Sequence, residues 1–211
     1  PGGVVLVSGS AGKSSTTNSL VKLLEAHGKR VFTNPSTANI KQGLFSAVLK
    51  EGDLRGQIDY DIAVLEVDEG HGSVLIGDLA PKLVVLTNVL SDQLDRFVDP
   101  ELVIQKLEKL AKGAEECVIN AHDPNLRSMG LSNIVASVTL SAALRSSKEA
   151  PEYALRFDNP AELANSPEID SDDGFVFSSD TLKIKLKDAN LPHAMNTALA
   201  LVAAQALVQI D

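Results

Sequence analysis

The sequence predicts an α/β fold: a mostly parallel β-sheet with helices on both faces, plus a small β-hairpin region. Apolar strand-like runs alternate with helix-like segments through most of the 211 residues, as in βαβ units. Two of these runs, 62–65 and 83–86, are entirely apolar, which is typical of parallel strands covered on both faces. Near the end of the chain, two apolar runs flank Ser-Ser-Asp-Thr, a turn-forming sequence that predicts the hairpin.

These patterns define the elements in order. Strands are predicted at residues 4–7, 30–33, 62–67, 83–87, 117–120 and 134–138. Helices are predicted at residues 14–26, 40–49, 100–111 and 195–209. The hairpin strands are expected at 175–177 and 182–186. Residues 141–173 are rich in Ser, Ala, Pro and acidic side chains, so irregular connections are expected there, with one strand at 153–157.

The turn between the first strand and the first helix has the pattern of a phosphate-binding loop. It contains Gly9 and Gly12, and Lys13 and Ser14 follow at the start of the helix. Backbone N–H groups of such a loop point at phosphate oxygens, the lysine reaches the β- and γ-phosphates, and the hydroxyl ligates Mg²⁺. The sheet is therefore expected to be of the P-loop type.

The loop is a shortened form, because the general pattern places a further glycine where this chain has Val7. The residues expected to contact phosphate are Gly9, Ser10, Ala11, Gly12, Lys13, Ser14 and Ser15. The alternative is a Gly/Ser-rich turn that binds nothing.

Composition excludes several classes of protein. The formal net charge of −9 argues against a general nucleic-acid or anionic-membrane binder. A single cysteine, Cys117, excludes an internal disulfide and a cysteine-cluster zinc site. This cysteine lies in an apolar run, so a buried core thiol is favoured over a catalytic one. The sequence contains no apolar run of transmembrane length, so neither a membrane span nor a signal peptide is expected.

Acidic side chains follow the third predicted strand, at the edge where parallel sheets bind ligands. Glu66 is the first of them and is the candidate metal ligand, with Asp68 and Glu69 as its neighbours. The alternative is a solvated loop whose carboxylates merely end the strand. His71 is a weaker candidate, because a lone histidine between glycines more often binds nothing.

Two polar clusters complete the candidate site. One follows the fourth strand and runs from Thr87 and Asn88 to Arg96; it lies near the same edge, although Asp92 or Asp95 there would equally serve to cap a helix. The other, at 192–196, precedes the last helix. Its His193 and Asn196 are candidates for an adenine edge, with ordinary N-capping as the alternative.

Taken together, these motifs resemble the central ATP-binding domain of the Mur ligases, which join an amine to a carboxylate in peptidoglycan precursors. The resemblance rests on G-S-A-G-K-S-S-T-T, L-E-V-D-E, L-T-N-V-L-S-D-Q-L-D-R-F, C-V-I-N-A-H-D-P and N-T-A-L-A, and it runs through nearly the whole chain. E-V-D-E followed by D-Q-L-D-R is similar to the amidating branch, the large (MurT-type) subunits of lipid II isoglutaminyl synthases. Most other branches have histidine at Gln93, where it helps to bind a second metal.

The resemblance implies a role for each matching residue. Lys13 would bind phosphate, Ser14 and Glu66 would ligate the metal, and Lys13 and Glu66 are the expected catalytic residues. Asn88 would lie beside the nucleotide and Asn196 near the adenine. His193 stands where many relatives have another asparagine, and Asp123 matches the acidic residue of an N-A-D-D-P element.

Two departures limit this transfer. Many relatives in the amidating branch carry a four-cysteine zinc ribbon, which this chain lacks, so no zinc is expected. Many Mur ligases carry a carbamylated lysine at a position that falls on Leu107 here, between Lys106 and Lys109, so neither lysine is assigned that role.

The resemblance implies an ATP-dependent, Mg²⁺-dependent ligase that forms an acyl phosphate on the D-glutamate α-carboxyl of lipid II. A partner glutaminase would supply the ammonia, and the bacterial protein would work in the cytoplasm at the inner face of the membrane. The chain, 1–211, is expected to be the central domain without the C-terminal ligase domain, and therefore inactive alone. The alternatives are another Mur-type ligase that adds an amino acid (polyglutamate, cyanophycin or folate-glutamate type) and a non-ligase P-loop ATPase.

Overall fold

A computed structural model describes residues 3–35, 38–53, 57–90, 99–154, 163, 166–172, 174–180, 182–187 and 190–208. The strands are β1 (Val4–Ser8), β2 (Val31–Thr33), β3 (Ile62–Glu66), β4 (Leu83–Leu86), β5 (Glu116–Asn120), β6 (Ile134–Leu140), β7 (Glu168–Ser171), β8 (Phe175–Ser178) and β9 (Lys183–Leu186). The helices are α1 (Lys13–Ala26), α2 (Lys41–Glu51), α3 (Glu69–Leu79), α4 (Pro100–Lys112), α5 (Pro124–Arg127), α6 (Ala142–Arg145) and α7 (Leu191–Leu207).

Within the described residues, the strands form one sheet in the order β2-β3-β1-β4-β5-β6-β7-β8-β9. The pairings from β2 to β7 are parallel, whereas β8 and β9 continue the sheet in antiparallel pairs. The predicted α/β class, the mostly parallel sheet and the terminal hairpin are therefore confirmed. Strand β1 lies between β3 and β4, so the segments after these three strands share one edge.

Two apolar layers cover the sheet. Alternate residues of a strand face opposite sides, so Val5 and Val7 of β1 pack with α1 and α7, whereas Leu6 packs with α3 and α4. Helix α7 is the most buried helix and lies against α1. None of the helices in the described ranges is both long enough and apolar enough to cross a bilayer.

Helix α7 begins four residues earlier than the apolar pattern predicts. Its start is set by Asn190, whose side chain accepts a hydrogen bond of 3.0 Å from the backbone N–H of His193. Pro192 occupies the first turn, where its missing N–H costs nothing. The predicted end of this helix, residue 209, lies outside the described residues.

Four elements were not predicted: α3, α5, α6 and β7. Helix α3 begins Glu-Gly-His-Gly, and glycine is a poor helix former, so this segment has no helical signature. The expectation of irregular connections with one strand in 141–173 is wrong at two places among the described residues, where α6 and β7 lie. Of the strand predicted at 153–157, Tyr153 forms an isolated antiparallel bridge with Leu90, and residues 155–157 lie outside the described part.

Candidate functional site

The loop between β1 and α1 depends on two glycines in the left-handed region. Gly9 has φ of 136° and Gly12 has φ of 81°. A Cβ at Gly9 would collide with the Thr87 hydroxyl, and one at Gly12 would collide with the side-chain amide of Asn196. The loop therefore packs too closely against β4 and α7 to accept a side chain at either position.

The segment after β4 holds this loop in place. The Thr87 hydroxyl donates to the carbonyl of Ala11 at 2.7 Å. The Asn88 amide binds Ala11 twice, since its Oδ1 accepts from the Ala11 N–H at 2.9 Å and its Nδ2 donates to the Ala11 carbonyl at 3.2 Å. The backbone of Asn88 also accepts from the N–H of Ser10 at 2.8 Å. Asn88, predicted to lie beside the nucleotide, thus binds the loop itself.

Lys13 folds back over the loop. Its Nζ donates to the Gly9 carbonyl at 2.6 Å and to the Ser10 carbonyl at 3.3 Å, so neutral acceptors hold the ammonium. Helix α1 begins at Lys13 and no side chain caps it, which leaves its first N–H groups and the positive end of its dipole at the loop. Ser14 and Ser15 are half-buried in this first turn. The arrangement is suited to binding an anion.

Glu66, the last residue of β3, lies next to the loop because it pairs with Val7 of β1 in the parallel register. The residue is 4% exposed, and no hydrogen bond reaches its carboxylate in the described part of the chain. Its carboxylate therefore stays available to a ligand at the sheet edge that follows β3.

A hydroxyl and a carboxylate, as in Ser14 and Glu66, fit Mg²⁺, which takes one or two carboxylates and completes its octahedron with water and substrate phosphate oxygens. Within the described ranges, no group of three or more His, Cys, Asp or Glu side chains is placed to hold a metal. Ser14 and Glu66 remain the ligands that the sequence predicts for such an ion.

Asn34 fixes the backbone of Glu66 and is a residue that sequence reasoning missed. Its Oδ1 accepts from the Glu66 N–H at 2.9 Å, and its Nδ2 donates to the Glu66 carbonyl at 2.9 Å. The same Nδ2 donates to the carbonyl of Ala38 at 3.0 Å. A polar residue directly after a short apolar strand was the available signal.

The remaining acidic residues after β3 have separate roles. Asp68 is the N-cap of α3, with Oδ1 accepting from the Gly70 N–H at 2.9 Å and lying 3.4 Å from Nδ1 of the exposed His71. Glu69, in contrast, is 2% exposed in the first turn of α3. The segment is therefore a capped helix start and not the solvated loop of the alternative interpretation.

Both predicted residues of the last helix are on α7 but in different surroundings. Asn196 is 6% exposed and contacts Gly12, so it lies against the loop. His193, one turn earlier, is exposed. The cluster at 91–98, including Asp92, Gln93, Asp95 and Arg96, lies outside the described residues.

Asp123 links the ends of β4 and β5. It is fully buried, accepts from the Val89 N–H at 2.6 Å, and caps α5 by accepting from the backbone and side chain of Asn125. Burial raises its pKa to about 6, against the lowering effect of these donors. Cys117 is also fully buried, and burial raises the pKa of its thiol, so the core interpretation of this cysteine fits.

A family model describes this fold and site. Residues 7–204 match the Mur ligase middle domain, and the chain therefore belongs to this family.

The MurT subunit is among the relatives. The chain is 30% identical over 122 residues to the lipid II isoglutaminyl synthase (glutamine-hydrolyzing) subunit MurT of Staphylococcus aureus strain COL, over 57% of the chain and 27% of that protein. It is 38% identical over 94 residues to the MurT of Streptococcus pneumoniae, over 44% of the chain and 21% of that protein. The chain thus matches about a quarter of the length of these relatives.

Solved structures show the same fold. MurF ligase from Thermotoga maritima, in complex with ADP, superposes with a TM-score of 0.70 at 22% identity, over 100% of this chain and 47% of that one. A pseudomurein peptide ligase type C from Methanothermus fervidus gives a TM-score of 0.70 at 20% identity, over 99% of this chain and 47% of that one. At these identities the likeness concerns the fold alone.

Proposed function

We propose that this chain is the ATP-binding domain of a ligase that amidates a carboxylate through an acyl phosphate. The observation that carries the proposal is the arrangement at one sheet edge: a glycine loop fixed by Asn88, Lys13 at the start of α1, and Glu66, whose carboxylate accepts no hydrogen bond from the described residues. These are the parts that phosphoryl transfer needs, namely positioning and neutralisation of charge.

The residues divide the work as follows. The loop 9–15 and the first turn of α1 would hold the phosphates through backbone N–H groups. Lys13 would exchange the carbonyls of Gly9 and Ser10 for phosphate oxygens, because a charged acceptor binds an ammonium more strongly than a neutral one. Ser14 and Glu66 would hold Mg²⁺, which supplies charge neutralisation for the phosphates when bound. His193 and Asn196 would face the nucleoside side of the site.

The acceptor is proposed to be the α-carboxyl of D-glutamate in lipid II. A carboxylate is a poor acylating group, so ATP would first convert it to an acyl phosphate, and ammonia would then displace inorganic phosphate to form the amide. The identities of 30% and 38% to MurT subunits support this substrate.

The ammonia is proposed to come from a partner glutaminase. Cys117, the only cysteine of the chain, is fully buried and has a raised thiol pKa, so it is unsuited to act as a glutaminase nucleophile. A separate subunit would fill this role. With lipid II as the acceptor, the protein would act in the cytoplasm at the inner face of the membrane.

A ligase that adds an amino acid is the second candidate. It is favoured by the 38% identity over 107 residues to the UDP-N-acetylmuramate–L-alanine ligase of Rhodococcus opacus, a match covering 51% of the chain and 19% of that protein. The two candidates share the nucleotide site and differ only in the attacking amine, so the product distinguishes them.

The test is a reconstitution of the protein that contains this chain with a glutaminase subunit, ATP, Mg²⁺, glutamine and lipid II. We expect mass spectrometry to find the carboxyl-to-carboxamide conversion in the stem peptide. Glu66→Gln should abolish the conversion, whereas Glu25→Gln, an exposed carboxylate on α1, should not change it. Incorporation of an amino acid in place of ammonia would favour the second candidate, and unchanged activity of Glu66→Gln would contradict the assigned site.

A further inference from the structure

A cavity lies at the sheet edge that also carries the phosphate loop, but it is displaced from this loop toward β5 and β6. It has a volume of about 310 Å³, and its polar lining comprises His122, Arg127, Thr139, Arg145, Tyr153 and Ser166. His122 and Arg127 follow β5, Thr139 lies near the end of β6 and Arg145 follows it. Strand β4 separates β5 from β1, the strand that carries the loop. No residue of the loop 9–15 lines the cavity. The site is therefore distinct from the one assigned to the nucleotide.

Arg127 contributes a guanidinium for which the described residues provide no acceptor. It is the last residue of the short helix α5, which Pro124 and the Asp123 cap fix in place. Its Nε is buried and has no hydrogen-bond partner, and no ion pair reaches its side chain within the described residues. A buried N–H left without an acceptor is costly, and the guanidinium fork is shaped for an oxyanion.

Arg145 adds a second positive charge in a fixed position. Its Nε donates to the Leu140 carbonyl at 2.7 Å and its Nη2 donates to the Thr139 hydroxyl at 3.2 Å. Glu168 approaches to 3.8 Å, but both side chains of this pair are about half exposed, so the pair is weak. Asp123, the carboxylate adjacent to His122, is already engaged by the Val89 and Asn125 donors.

Tyr153 and His122 complete the polar wall. The Tyr153 hydroxyl accepts from Nδ2 of Asn120 at 3.2 Å, and its own proton has no acceptor among the described residues. The His122 ring meets the Tyr153 ring edge-on at 5.4 Å. Burial and the charges of Arg145 and Arg127 lower the pKa of His122 to about 4, so this ring is neutral at pH 7.

We propose that this cavity binds a small oxyanionic ligand, a phosphate or a carboxylate group, through Arg127, Arg145 and the Tyr153 hydroxyl. Only such a group accepts from a planar fork and a hydroxyl while offsetting two guanidinium charges. The inference goes beyond the proposed function, which places the nucleotide phosphates at the loop 9–15 and assigns nothing to this cavity.

The experiment uses His122 as the reporter. The chain has four histidines, so the His122 ring resonance is assignable in NMR spectra with the single variant His122→Gln. Inorganic phosphate and acetate are titrated separately into the Lys13→Ala variant, in which phosphate binding at the loop is expected to be weaker. We expect phosphate, acetate or both to shift the His122 resonance and to raise its pKa, since a bound anion offsets the arginine charges.

Substitutions decide whether the cavity is responsible. Arg127→Gln should weaken anion binding about tenfold, as expected for loss of a charged hydrogen bond. Tyr153→Phe should also weaken anion binding. Because Tyr153 does not lie on α5, this second result cannot come from a perturbed α5 helix. Arg30→Gln, an exposed arginine paired with Asp59 and Asp61, should leave binding unchanged. Response to phosphate alone assigns a phosphate group, and response to acetate a carboxylate. The proposal is overturned if neither anion shifts the resonance, or if Arg127→Gln and Tyr153→Phe respond as strongly as the chain without these substitutions.

Discussion

At the end of β3, the Asn34 side chain makes the hydrogen bonds that the backbone of one more β2 residue would otherwise make. Strand β2 stops at Thr33, and the Asn34 amide then supplies both a donor and an acceptor to the backbone of Glu66. A side chain thus replaces the last backbone pairing between β2 and β3, at the residue whose carboxylate is proposed to hold Mg²⁺. The Glu66 backbone is thus held by the Asn34 amide on one side and lies beside its pairing partner Val7 of β1 on the other.

Asn34→Ala should destabilise the fold. It would leave the buried N–H and carbonyl of Glu66 without partners, at a cost of about 1–3 kcal/mol in the free energy of unfolding. Urea denaturation followed by circular dichroism measures this, with Asn18→Ala, an exposed asparagine on α1, as the control. Equal urea midpoints for the two variants would show that the hydrogen bonds of Asn34 to Glu66 contribute nothing to stability.

Lys13→Ala should lower the affinity for ATP–Mg²⁺ at least about tenfold, because the phosphates would lose a charged partner. Isothermal titration calorimetry measures the affinity. Lys22→Ala is the matched control, since Lys22 is an exposed lysine on the same helix. Identical dissociation constants for the two variants would remove Lys13 from the site.

At this scale, the sequence predicted which residues gather but not what they contact. The glycines, Lys13 and Ser14 were predicted from the phosphate-loop pattern. Glu66 was predicted from its position after a strand, because the carboxyl ends of parallel strands share an edge. The double hydrogen bond of Asn88 to Ala11 was not predicted, and neither was Asn34. Both depend on side-chain geometry across distant segments, which no local pattern encodes.

At the scale of elements, the loop and its two neighbours form one packed unit. Gly12→Ala should destabilise the chain by at least about 1–2 kcal/mol, because alanine is disfavoured at a positive φ and its Cβ would collide with Asn196. Gly77→Ala, on the exposed side of α3 where an added Cβ meets nothing, should instead stabilise by about 0.5–1 kcal/mol. Thermal midpoints that shift in the same direction for both variants would contradict this contrast.

The predicted elements were those with a strong local period. Helix α4 has Pro100 in its first turn and an apolar face, and it was found at its predicted start. Helix α3 was missed because two glycines occupy its first turn, and its formation depends on the Asp68 cap and on packing against α4. Strand β7 was missed because Glu-Ile-Asp-Ser carries little apolar character, and its pairing with β6 and β8 forms it.

At the scale of the whole molecule, Asp123 makes stability depend on pH. Its pKa is about 6 in the folded chain, against an ordinary value of 3.8, so the folded state binds more protons between these values. Stability from this group is therefore present below pH 4 and is lost as the pH rises through 6.

Asp123→Asn removes this titration, so its thermal midpoint relative to the parent chain should rise between pH 4 and pH 7. His122 titrates in the opposite sense in both proteins, because its pKa is lowered, and it cancels in the difference. Asp78→Asn, an exposed carboxylate on α3, serves as the control. A relative midpoint that falls with pH would mean that the hydrogen bonds to Asp123 outweigh its burial.

The outer strands of the sheet have a consequence for how copies of this chain meet. Strand β9, the last in the sheet order of the described residues, carries Lys183 and Lys185 with exposed side chains, and β2 at the opposite side has only three residues. Two copies that approached along β9 would bring like charges together, and β2 is too short to template a partner. The chain thereby resists edge-to-edge growth into aggregates, although it contains an extended sheet with a highly apolar interior.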